Sequence, residues 1–156
     1  VTVVSCEIIN SATDERETIP SSDVATMFNL LALADGGTLD VCDQEVTLTT
    51  FDQLRVVIGD VATITFGTDA LTVTDTLHVA SGSSSGLKFF FDDLVDVSGG
   101  GRLDILLDFV ADESVVSTGP PSAPTGYVMT PVIKAVSASL NEAQLAISDE
   151  GEVVAQ

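Results

Sequence analysis

The 156-residue chain carries 5 Lys+Arg against 24 Asp+Glu and one His, a formal charge of −19, yet apolar residues reach 45% and charged ones only 19%. With a positive mean hydropathy, that balance excludes a disordered acidic tail and describes one folded domain of ordinary length. It also argues against nucleic acid and anionic membrane surfaces, because the scattered basic residues make no phosphate-binding face, and no apolar run reaches the ~18 residues that span a bilayer.

In chain order, Val1 without an initiator Met reads as the start of a processed or trimmed chain, any secretion signal having gone. Val4, Cys6 and Ile8 alternate and share one face of a first strand. Residues 24–34 are the one stretch that reads as a short helical turn, with Ser21 to Asp23 as caps. Leu54, Val56 and Ile58 define the next strand, which ends at Gly59-Asp60. Short runs follow at 61–66, 70–74 and 76–80, separated by Gly67-Thr68-Asp69 and by Asp75. Leu87, Phe89 and Phe91 alternate with Lys88 and Phe90. The cleanest strand is 102–110, with Leu103, Ile105, Leu107 and Phe109 inward and Arg102, Asp104 and Asp108 outward. After the loop Gly119-Pro120-Pro121-Ser122-Ala123-Pro124, one long strand is expected from Tyr127 to Val136. Many short Val/Thr/Ile-rich strands without helical periodicity or βαβ alternation predict a single all-β domain, an antiparallel β-sandwich.

Catalytic motifs are sparse. Gly82-Ser83-Ser84-Ser85-Gly86 fits G-x-S-x-G, but a nucleophile elbow needs a helix after the serine and a histidine within reach. Here a strand-like run follows, and His78 lies upstream in another strand, so a Ser/Gly hairpin loop explains the five residues and no enzyme is expected. His78 reads as a strand-face residue. Asp40, Asp43 and Glu45, then Asp92, Asp93 and Asp96, then Asp112 and Glu113 form acidic clusters. Loop carboxylates can hold Ca2+, but none fits the EF-hand pattern and a solvated acidic face accounts for them. With no Trp and one Tyr, the aromatic platform common in sugar sites is missing, and no cofactor is expected. Cys6 and Cys42 have no metal-ligand spacing; they form one disulfide if the chain is exported, or otherwise remain two buried thiols. Arg55, alone in the apolar run Leu54 to Ile58, requires a carboxylate, and Asp108 is the candidate partner for a structural ion pair.

Four segments recur in a familiar order: Phe51-Asp52-Gln53-Leu54-Arg55-Val56-Val57-Ile58, Ser85-Gly86-Leu87-Lys88, Leu106-Leu107-Asp108-Phe109, and Tyr127-Val128-Met129-Thr130-Pro131-Val132-Ile133-Lys134. Together they resemble the DUF4382 family, domains of unknown function in exported proteins, over roughly residues 1–136. The Val1–Ile9 strand and Phe28 to Leu33 fit its earlier portion. The resemblance implies a β-sandwich outside the cytoplasm, extracellular or at the cell surface, and carries across no catalytic residues.

It also implies a missing strand. Relatives open with a strand of the type Leu-x-Val-x-Leu-Thr-Asp-Ala-Pro before the segment matching Val1–Ile9, and this chain lacks it. The stretch Gln144-Leu145-Ala146-Ile147-Ser148-Asp149 looks like that strand, displaced to the C-terminus. The organisation expected is therefore a sandwich over 1–136, a connector over 137–142 and a strand-like tail over 143–156. A sandwich lacking one strand exposes an edge unless something fills it. The tail could fill its own slot, fill a neighbour's, or remain a loose extension; the connector, about 20 Å at full stretch, permits either filling. The leading expectation is donor-strand exchange between copies, with Ala143, Leu145, Ile147 and Val153 entering the neighbour and building a homopolymeric surface filament. The alternative is a monomeric cell-surface binding module using its acidic loops for Ca2+ or a ligand.

Overall fold

A computed structural model describes residues 1–22, 29, 38–68, 71–80, 86–120, 126–130, 132–147 and 153–154. The β-branched, alternating sequence folds into strands throughout: β1 (Val3–Asn10), β2 (Glu15–Pro20), β3 (Thr50–Ile58), β4 (Val61–Thr68), β5 (Leu71–Val79), β6 (Leu87–Asp96) and β7 (Leu103–Phe109). One helical turn, α1 (Ala111–Ser114), leads into β8 (Val115–Thr118), β9 (Gly126–Met129), β10 (Ile133–Leu140), β11 (Ala143–Ile147) and β12 (Val153–Val154). An eight-stranded sheet runs in the order β2-β1-β3-β6-β12-β11-β10-β7, and a four-stranded sheet in the order β4-β5-β9-β8. All pairings are antiparallel except β12 with β6 and β5 with β9.

The eight-stranded sheet folds over on itself. Ile8 of β1, Phe51 of β3 and Phe91 and Val95 of β6 share one buried cluster with Ala135 and Ala138 of β10, against which Leu103, Ile105 and Leu107 of β7 also pack. In a flat sheet β1 and β10 would stand about 24 Å apart, five strand spacings, so this contact requires the two halves to face each other. Phe51 and Phe91 meet edge to face at a centroid separation of 6.0 Å. A second cluster, Cys6, Val56, Ile58, Ala62, Leu77, Val79 and Met129, joins the same sheet to the four-stranded one. The all-β sandwich read from the sequence is thus the fold, built from two sheets of unequal size.

Several local expectations change. A bulge between Val3 and Ser5 reverses the alternation at the start of β1, so Val3 is buried and Val4 is exposed. Asp75 does not divide a strand: β5 runs through it, opposite Ile64, because one carboxylate leaves the backbone ladder intact. The long strand over 127–136 is two strands in different sheets. Pro131 lacks the N–H a continuous ladder needs, and the buried Ser114 secures the crossing. Its hydroxyl donates to the Val110 carbonyl at 2.6 Å and accepts from the Val132 N–H at 2.8 Å. Its carbonyl accepts from the Thr130 N–H. The helical turn over 24–34 lies outside the described residues apart from Asn29, and the 82–86 motif does so apart from Gly86.

The segment before β3 is fastened to the sheet at two points. Cys6 and Cys42 form a disulfide across a sequence separation of 36. The Glu17 carboxylate accepts the N–H groups of Thr47 and Leu48, at 2.8 and 2.6 Å, and the Thr47 hydroxyl at 2.9 Å. The Leu48 N–H holds that carboxyl below its ordinary value of 4.5; desolvation opposes it, and the hydrogen bonds from Thr47 add to the lowering.

Closing a loop of this size removes about 4 kcal/mol of denatured-chain entropy on the loop-closure model. The double variant Cys6→Ser/Cys42→Ser should therefore lose about 2–4 kcal/mol in urea unfolding, and a loss below about 1 kcal/mol would contradict the tether. Because Glu17 has a lower pKa folded than unfolded, its contribution is complete above 4.5 and is lost as pH falls through the depressed folded value. Amide protection at Thr47 and Leu48, corrected for intrinsic exchange, should fall over that acid range in the wild type. It should stay low and pH-insensitive in Glu17→Gln.

Candidate functional site

The tail from Ala143 is the feature the sequence singles out, and its backbone begins in a two-residue hairpin. Leu140 pairs with Ala143, Ser139 with Gln144 and Ala138 with Leu145. Between them Asn141 (φ 51°) and Glu142 (φ 69°) are both left-handed, the mirror-image turn whose twist suits a tight hairpin. Asn tolerates that conformation better than Glu does. The turn rests on the start of β7. The Asn141 N–H donates to the Arg102 carbonyl and the Arg102 N–H donates to Asn141 Oδ1, both at 2.8 Å. Gly101 permits the approach, since a Cβ there would lie 3.2 Å from both Asn141 side-chain atoms. Arg102 also donates to Asp104 at 2.8 Å. That bond, with the nearby charges of Asp104, Asp43 and Asp40, raises the guanidinium's pKa.

Residues 137–142 are therefore not a free connector: Ser137 to Leu140 complete β10, and Asn141-Glu142 is the turn. A bulge between Ala135 and Ser137 shifts the alternation, so that Ala135 and Ala138 are both buried. From the turn, β11 returns along β10, and β12 pairs antiparallel with β11 through Ala146–Val154 and Ile147–Val153. On its other side β12 meets β6 in parallel, with Val153 opposite Phe91 among the described residues. The tail thus occupies the position between β6 and β10 of its own chain. Of the four residues expected in the donor strand, Leu145 is half-buried against the second half of the core and Ala143 is exposed. For Ile147 and Val153 the backbone pairing places them in the strands.

The other candidates are placed as follows. Cys6 and Cys42 are joined. Arg55 pairs with Glu7, Nη1 to Oε2 at 2.8 Å, not with Asp108 as expected. The two are direct neighbours in the β1–β3 register, with side chains 15% and 17% exposed. Asp108 stands on β7, five strands from β3 in sheet order, opposite Lys134. The expectation failed because periodicity names the face of a strand but not its neighbour. Gly86 is the residue that sequence reading missed here: a Cβ would meet Arg55 Nε at 2.8 Å, so its lack of a side chain makes room for the guanidinium. His78 is exposed on β5. Among the described residues, no three His, Cys, Asp or Glu side chains gather as an ion would require. Asp96 accepts the Ser98 N–H at 2.8 Å, and hydrogen bonding to Ser98 lowers its pKa. No helix among the described residues is long and apolar enough to cross a membrane.

Fold and site together define a disulfide-tied antiparallel β-sandwich whose larger sheet is completed by its own C-terminal hairpin. The chain belongs to the DUF4382 family, described as a domain of unknown function, whose sequence model matches residues 1–131. Strands β10, β11 and β12 lie beyond the matched residues. No curated protein matches the chain, and no solved structure matches it.

The Arg55–Glu7 pair sets an expectation. Glu7→Gln leaves a half-buried guanidinium without that carboxylate and should cost about 1–3 kcal/mol. Asp108→Asn, at an exposed position, should stay within about 0.5 kcal/mol of wild type. Equal losses in the two variants by chemical denaturation would contradict the assignment.

Proposed function

We propose that this protein is a structural subunit of an extracellular or cell-surface filament, in which the C-terminal hairpin is given to a neighbouring copy. The observation that carries the reading is the tail's place in the sheet. It fills the gap between β6 and β10, and among the described residues the pair Val153–Phe91 joins it to β6. Withdrawing it would leave β10 with an open inner edge and expose the apolar surface that Leu145 covers, the condition that strand donation satisfies. A strand from a second copy can make the same backbone bonds, so the self-inserted arrangement is the closed state of an exchangeable element. The partner is then another copy of this chain, with no cofactor and no catalytic role. The Cys6–Cys42 disulfide suits an oxidising compartment outside the cell.

Each copy brings a charge of −19, so association must overcome repulsion between like-charged units. Raising salt from about 0.01 to 1 M shortens the Debye length from about 30 to 3 Å and should increase the polymer fraction. Negative-stain microscopy with light scattering should detect polymers of the intact chain that vanish on deletion of 143–156. A compact monomer at every concentration and salt level sinks the proposal.

A further inference from the structure

We infer that the Asn141-Glu142 turn is the hinge of strand exchange with a second copy, and that its left-handed backbone biases the molecule toward the exchanged form. The inference rests on the functional reading above and specifies how it is regulated. In the closed form the chain reverses within two residues, neither of them glycine, at φ of 51° and 69°. Among the described residues, Glu142 has no local compensation of the kind Asn141 obtains from Arg102. If the turn opens, β11 leaves β10 of its own chain and lies against β10 of a second copy, the hinge leaving the tight turn but keeping the change of face that a regular strand lacks, since Ala138 and Leu145 stand seven positions apart. The exchanged pairing then restores every closed-form pair between copies. Leu140 then faces Ala143 of the second copy, Ser139 faces its Gln144, and Ala138 faces its Leu145. The ladder bonds cancel between the two forms, so the hinge conformation enters the balance undiluted, against the association cost and charge repulsion. Releasing Glu142 from the left-handed region shifts that balance toward exchange by about 5- to 30-fold. A reciprocal exchange closes a two-fold pair, whereas passing the strand on to a third copy continues the filament.

Two substitutions push the hinge in opposite directions. Glu142→Gly removes the steric penalty of the closed turn. Asn141→Ala removes the Oδ1 acceptor of the Arg102 N–H and puts a less tolerant residue in the left-handed region. The reporter is Ser139→Cys with Gln144→Cys. Next to a two-residue turn this is the non-hydrogen-bonded pair, with Cα atoms about 4.5 Å apart and within disulfide reach. The chain's only two cysteines are already joined to each other, so the new bond reports β10–β11 pairing alone. After oxidation at graded protein concentration, a non-reducing gel separates chains bonded within themselves from chains bonded to one another. Relative to the reporter alone, the interchain fraction should fall about 5- to 30-fold with Glu142→Gly and should rise with Asn141→Ala. Glu142→Gly should also melt higher as a monomer, and a melting point no higher than wild type overturns the strain argument. Interchain bonding equal in all three proteins overturns the hinge but leaves strand donation standing. Bonding confined within single chains at every concentration, Asn141→Ala included, overturns both.

Discussion

The structure depends on the occupation of one sheet position. β6 and β10 belong to halves of the large sheet that face each other across a shared core, and each has one side that a strand must cover. Backbone donors and acceptors left without partners inside a fold cost far more than a paired ladder contributes. A strand of almost any sequence that fits the slot therefore stabilises the whole. The C-terminal hairpin supplies it, adding Leu145 to the core side. Among the described residues, β11 pairs with β10 at three positions and β12 with β6 at one.

Charge acts against any such closure, and the chain answers it by placing its few cations beside carboxylates. Arg16 stands at Asp14, Arg55 at Glu7, Arg102 at Asp104 and Lys134 at Glu113. The exposed pairs contribute little each. The Arg55–Glu7 pair, mostly withdrawn from solvent, fixes the register of β1 on β3 at their point of contact. Among the described residues, carboxylates such as Asp93, Asp96, Asp104 and Asp108 are exposed, where they keep a Val/Thr-rich sheet soluble and its edges apart.

Much of this was legible from periodicity. Leu103, Ile105, Leu107 and Phe109 point inward as their alternation requires, and Phe89 and Phe91 are buried while Phe90 is not. Where a bulge intervenes the pattern misleads, as at Val3 and Val4, because one extra residue exchanges the two faces. It misled again over 127–136, where a run of strand-formers spans two sheets. Nothing in local propensity marks a change of sheet, apart from a proline that cannot donate. The Asn141-Glu142 turn went unread for the opposite reason. Asn141-Glu142 lacks the glycine that usually announces a two-residue turn, so 137–142 looked like a connector.

The sequence by itself determined the all-β class, the family and the strand-forming character of the tail, because these follow from composition, alternation and segment order along the chain. Tertiary structure alone decided which strands are neighbours. Arg55 is matched to Glu7, 48 positions away, and the tail is seated between β6 and β10 by pairings that no local window contains. A period of two states which side of a strand faces the core. Backbone hydrogen bonds, identical for every residue but proline, carry no mark of the partner until the core on both sides has set it.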